Sequence, residues 1–192
     1  MTPFEFVFAL ISIISSLALT RIITGVVSII RHKDRGGFSL THVLWVWIAF
    51  AVVVGNWGAL WGARVDPDWP AVRILAWLGS MTSLYAFCAL VVPEVDRDTP
   101  LNLKEFHERE GRRYIIAHNF FALLALSLVL ALDGILADSI INVGSALVAF
   151  ALGTAALFTR RRPQLIISIL LAILAAMFML ANIDILAGGT VK

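Results

Sequence analysis

Residues 165–186 read LIISILLAILAAMFMLANIDIL, and no charge interrupts them before Asp184. A helix rises about 1.5 Å per residue, so about 20 apolar residues cross the roughly 30 Å hydrocarbon core of a bilayer. A run this long and continuous reads as a transmembrane helix, because strands of a membrane β-barrel alternate over segments of only about ten residues. Working outward, five more runs of the same character appear: Phe4 to Ile30, Thr41 to Trp61, Val72 to Val92, Tyr114 to Leu132 and Ile140 to Phe158. With Leu165 to Leu186 they predict an all-α integral membrane protein, a polytopic bundle of about six transmembrane helices forming a single domain over residues 1–192. The punctuation fits these cuts. Pro70 precedes the third span and Pro93 ends it, Pro163 suits the first turn of the sixth, and Gly188 and Gly189 follow its end.

Composition points the same way. The chain is 60% hydrophobic and 15% charged, with a mean hydropathy of +0.90, which sets it apart from soluble domains. Six spans leave no room in 192 residues for a second, soluble domain. Residues Met1 to Glu5 carry no basic region and no small-residue cleavage pattern, so the first helix is expected to be retained. Cys88 is the single cysteine, which excludes an internal disulfide and a cysteine-based zinc site. A net charge of +2 without a clustered basic face argues against nucleic acid as a partner.

Orientation follows from lysine and arginine, which are retained on the cytoplasmic side of a span. Arg31, Lys33 and Arg35 follow the first span, Arg97, Lys104, Arg109, Arg112 and Arg113 the third, and Arg160, Arg161 and Arg162 the fifth. The opposite side holds Arg64, Arg73 and Lys192 against Glu5, Asp66, Asp68, Asp133, Asp138 and Asp184. Both termini are therefore expected outside the cytoplasm, in a bacterial-type inner membrane. Trp45 and Trp47 then fall near the inner interface, and Trp57, Trp61 and Trp69 near the outer one, where amphipathic rings sit best.

The longest connection runs from Glu94 to Arg113. Asn102 and Glu105 have the spacing of a capping box that opens a short amphipathic cytoplasmic helix at about 102–113. Glu105 with Arg109, and Glu108 with Arg112, are spaced to pair along it. Leu103 and Phe106 are expected to face the membrane surface, as in an interfacial helix or a protein-docking segment. With an odd number of spans in each half, any internal duplication would be inverted. Phe8, Ala9 and Leu10 align with Phe121, Ala122 and Leu123, and Leu17, Ala18 and Leu19 with Leu130, Ala131 and Leu132, though such residues are common throughout the chain.

The most regular polar feature is a ladder of Ser12, Ser16, Thr20, Thr24 and Ser28, each four residues after the last along one helix ridge. Small hydroxyl residues on such a row let another helix approach and hydrogen-bond to it, and nothing strongly charged interrupts the row, so packing is favoured over a pore wall. Gly58 and Gly62, and Ser145, Ala149 and Gly153, form further small-residue seams, and seams of this kind lead us to expect a homo-oligomer.

Ionisable groups in or beside a span point to function, because an unpaired charge in hydrocarbon costs several kcal/mol. Arg21, His42, Glu94 and His118 lie at or just within the basic ends of four spans and, with Thr20 and Thr24, form a candidate polar path or a structural ion pair. Asn56, Asp133, Asn182 and Asp184 form an outer polar group, with helix ends and solvated loops as the plainer explanation. His42 and His118 at similar depth would also permit bis-histidine ligation of a haem. Nothing else calls for a cofactor. There is no H-E-x-x-H, no G-x-S-x-G elbow and no phosphate-cradling glycine loop, so no residue is assigned as catalytic or metal-binding. The expectations, in order, are an oligomeric channel or transporter for a small ion or solute, a non-catalytic membrane partner docking through residues 94–113, and a haem redox protein.

Overall fold

A computed structural model describes residues 2–32, 36–65, 68–94, 101–132, 140–159 and 162–186. It is all-α: α1 (Pro3–Arg31), α2 (Leu40–Gly62) running into a 3-10 turn (Ala63–Val65), α3 (Ala71–Val91), α4 (Leu103–Leu132), α5 (Ile140–Phe158) and α6 (Arg162–Leu186). Five of these, α1, α2, α3, α4 and α6, are long and apolar enough to cross a membrane. The remaining helix, α5, has 19 residues and is apolar over Val143–Phe158.

Local chemistry sets the helix starts. Thr2 and Glu5 form a reciprocal capping box at the head of α1, with Pro3 in its first turn. Ser39 accepts a hydrogen bond from the His42 N–H to open α2, and Asn102 Oδ1 accepts from the Glu105 N–H to open α4. Gly36 and Gly37 lie against that last cap. The Gly36 N–H donates to Leu101 O, the Lys104 N–H donates to Gly37 O, and a Cβ on Gly37 would stand 2.8 Å from Asn102 Oδ1.

The amphipathic segment at about 102–113 is not a separate helix. With no proline between Asn102 and Leu132, it continues into the fourth span as one helix of 30 residues. Its apolar side chains turn inward: Leu103 is buried, and the Phe106 ring meets His42 edge-on at 5.2 Å, because α2 offers an apolar face there. The expected pairs at 105/109 and 108/112 are replaced by Arg109 and Arg113, which converge on Glu110 at 3.2 and 2.7 Å.

The bundle closes in the order α1, α3, α4, α5, α6, α2, with α2 also touching α3 and α4. The span of α2 is accordingly the most buried and that of α6 among the least. Glycines set the closest approaches. A Cβ on Gly58 would meet the backbone oxygen of Asn182 at 2.6 Å, one on Gly55 the Phe178 ring at 2.5 Å, and one on Gly153 Asn119 Oδ1 at 2.0 Å. Among the described residues the two halves are packed differently: α1 lies along α3, whereas α4 makes no comparable contact with α6. That difference removes support for an inverted duplication.

Candidate functional site

Between α2, α3, α4, α5 and α6 lies a cavity of about 410 Å³, within the roughly 300–1,000 Å³ usual for small-molecule sites. Its wall is mainly apolar, with Val52, Phe121, Ala149, Leu174 and Phe178 prominent. It runs from Ile48 along α2 to Gly62 and the 3-10 turn, where Val65 is 65% exposed. That is the end of the bundle whose connections are acidic in sequence. α1 contributes nothing to the wall.

The opposite end is lined by rings. His118, on the wall and 2% exposed, meets Trp45 at 5.3 Å and Phe87 at 5.4 Å, both edge-on. Trp45 in turn contacts Tyr114 at 5.7 Å, and Tyr114 contacts His42 at 6.1 Å. Beyond them the His107 ring bonds the Tyr114 hydroxyl through Nδ1 and reaches Gln164 Oε1 at 3.4 Å through Nε2. Burial pulls His107 below its ordinary pKa of 6.5, against the upward pull of the Gln164 hydrogen bond and the Glu108 charge. Behind the His118 wall, Asn119 donates to Thr154 Oγ1 at 3.2 Å, and Thr154 donates to Phe150 O at 2.8 Å. Gly153 makes that contact between α4 and α5 sterically possible.

The polar groups on the wall are few and unevenly placed. Asn56 and Asn182 each donate one amide hydrogen to their own helix, to Val52 O and Phe178 O, and both line the cavity. On α3, Arg73, Trp77 and Ser80 share one lining face. The Trp77 indole nitrogen and the Ser80 hydroxyl are buried without a hydrogen-bond partner among the described residues. Such groups are rare in proteins because each carries an uncompensated desolvation cost of about 1–3 kcal/mol.

The residues anticipated from sequence are thus divided. Arg21 and Glu94 do pair, at 3.6 Å, but on the surface, with the Glu94 side chain 92% exposed. His42 and His118 are joined by a chain of ring contacts through Tyr114 and Trp45. Ser16, Thr20, Thr24 and Ser28 lie on the exposed face of α1, opposite the buried ridge of Val7, Ile11, Ser15, Ala18, Ile22 and Gly25, and so line no path within the bundle. Ser12 accepts a hydrogen bond from the Trp57 indole at 3.0 Å. Of the outer group, Asn56 and Asn182 come together on the cavity wall, Asp184 is exposed, and Asp133 lies outside the described residues. Gly62 and Ala149 line the cavity. Sequence reasoning missed Arg73, Trp77 and Ser80, although their i, i+4, i+7 spacing marks them as one helical face. It also missed Tyr114 and Gln164 as partners of His107.

No protein-family model, curated protein or solved structure matches the chain.

Proposed function

We propose that this is a six-span membrane protein, with its basic connections in the cytoplasm and both ends outside, which binds a small, largely apolar molecule in the cavity enclosed by α2, α3, α4, α5 and α6. The carrying observation is the cavity itself: about 410 Å³, mainly apolar, with a few polar groups on its wall. A cavity of that character is a binding site before it is a conduit. The packed rings of Trp45, Phe87 and Tyr114 at its inner end favour a dead-ended pocket over a continuous pore. In this orientation the mouth at Gly62, Val65 and Arg73 faces the outer leaflet.

Native mass spectrometry of the full chain released from mild detergent tests the reading. Bound non-protein mass is expected on the native chain and is expected to disappear when Ala149→Phe or Ala122→Phe fills the cavity. Identical spectra for native and filled chains, both correctly folded, would overturn it.

A further inference from the structure

The histidine on the wall narrows the class of molecule, given that the cavity binds a ligand as proposed above. Hydrogen bonds behind the wall fix which nitrogen of His118 carries its proton. A threonine hydroxyl has one hydrogen to give, and Thr154 gives it to Phe150 O at 2.8 Å. Its oxygen therefore accepts from the Asn119 side chain at 3.2 Å, and Asn119 must present its NH2 group there. That orientation turns Asn119 Oδ1 toward His118 Nδ1, at 3.3 Å. A carbonyl oxygen only accepts, so Nδ1 is the protonated nitrogen and Nε2 keeps its lone pair. Gly153 of α5 lies close against both Asn119 Oδ1 and His118 Nδ1, which leaves the pair little freedom to turn.

Nε2 has no hydrogen-bond partner among the described residues. It is nonetheless not sealed, in contrast to both ring nitrogens of His42 and the Ser80 hydroxyl, which are buried with neither a partner nor open space beside them. On a ring only 2% exposed, the open atom faces the cavity that the ring lines. Water is a poor occupant there, since a buried water makes about three hydrogen bonds. The lining side chains of the next turns, Phe121 and Ala122 on α4 and Ile48 and Val52 on α2, offer it none. An anion would meet the lone pair of Nε2 unfavourably. A cation would find no aspartate or glutamate on the wall among the described residues. Arg73, the charged residue that does line the cavity, lies 14 positions along α3 from Phe87, which His118 touches, or about 21 Å away. We infer that the cavity takes a neutral, apolar molecule bearing one hydroxyl, an alcohol or a phenol, which donates to His118 Nε2 while its apolar body lies along Phe121, Ala149 and Leu174. A neutral O–H is the group that such an acceptor meets without a counter-charge, and the apolar surroundings strengthen the bond.

The test compares β-naphthol with its methyl ether for binding to the full chain in phosphatidylcholine nanodiscs, with the Ala149→Phe chain subtracted as background. The two probes share one apolar frame and differ in the O–H. Naphthol is expected to bind about tenfold more tightly than the ether. His118→Phe, which keeps a ring against Trp45 and Phe87, is expected to bring the two affinities within about twofold of each other. A second readout needs no substitution. His118 is the one histidine followed by asparagine in the sequence, so paired isotope labelling of histidine and asparagine identifies its resonances in the native chain. Its Nε2 should carry the signature of an unprotonated ring nitrogen, and should shift on adding naphthol but not on adding the ether. Equal affinity for the two probes, or an unmoved Nε2 resonance while naphthol binds, would overturn the hydroxyl assignment and leave the cavity reading intact. No binding of either probe above the Ala149→Phe background would overturn both.

Discussion

α1 and α3 each carry a row of polar side chains at helical spacing, yet the two rows have opposite fates. On α1 the row of Ser16, Thr20, Thr24 and Ser28 faces away from the bundle. There Ser16 donates to Ser12 O at 2.7 Å and Thr24 to Thr20 O at 2.6 Å, so these hydroxyls are satisfied within their own helix. On α3 the row of Arg73, Trp77 and Ser80 faces the cavity, and two of its donors are buried without a partner among the described residues. Periodicity identifies a face, but the neighbours decide whether that face is a surface or a site. The α3 row is covered by the helices that enclose the cavity, whereas the outward ridge of α1 is exposed among the described residues.

The sharpest way to break this contrast is to add bulk where packing is tight and where it is open. A Cβ on Gly58 meets the α6 backbone at 2.6 Å, while one on Gly79 meets nothing within 4 Å. Gly58→Leu is therefore expected to destabilise by about 3 kcal/mol or more, because backbone cannot yield as a side chain can. Gly79→Leu should be neutral or slightly stabilising, since it also removes a glycine from a helix interior. Thermal unfolding of both variants in the same detergent checks the pair. Equal losses would mean that α2 and α6 are not packed as described.

Next in size is Gly153→Ala. Its methyl group would displace the Asn119 side chain and with it the hydrogen bond to Thr154, at an expected cost of about 1–3 kcal/mol. Restoring native stability by adding Asn119→Ala to Gly153→Ala would show that the contact, and not the helix propensity of residue 153, sets the cost.

Acid probes the ring-lined end. His107 sits among Tyr114, Gln164, Glu108 and His42, and its pKa is lowered from 6.5 mainly by burial. The unfolded chain therefore takes up this proton at a higher pH than the folded chain does. Stability contributed by neutral His107 is present above about pH 6.5 and is lost progressively as pH falls through the lower folded value. Melting temperature measured from pH 7.5 to 5.0 should fall, and the fall should be shallower in His107→Gln.

Much of this architecture is legible in the residues alone. The six apolar runs locate the six helices, because long uninterrupted apolar stretches leave the backbone little alternative. Asn102 with Glu105, and Gly58 with its small neighbours, announce a cap and a close approach that the coordinates place where spacing puts them. What spacing cannot convey is azimuth. Leu103 and Phe106 are equally apolar whether they face lipid or His42, and the distinction arises only when α2 lies alongside them. In sequence Arg73 is one charge among the outer connections, and its relation to Trp77 and Ser80 matters only once α4, α5 and α6 enclose a space beside them.

The smallest expected effects belong to the outward row of α1. Replacing Ser16, Thr20 and Thr24 together by alanine removes the Ser16 and Thr24 hydroxyls, which bond their own helix, and the hydroxyl of the exposed Thr20, so stability should change by no more than about 0.5 kcal/mol. Arg21→Ala removes an exposed pair with Glu94 and should cost no more than about 1 kcal/mol. Subunit count carries more information than stability here. A face that meets only lipid has no bearing on assembly, so native mass spectra of the triple-alanine chain should match those of the native chain. A lower subunit number at unchanged stability would instead place this hydroxyl row between copies of the chain, since close packing of small residues is what draws helices together in lipid. The comparison with α3 would then be between two occupied faces, one filled by a neighbouring subunit and the other by a ligand.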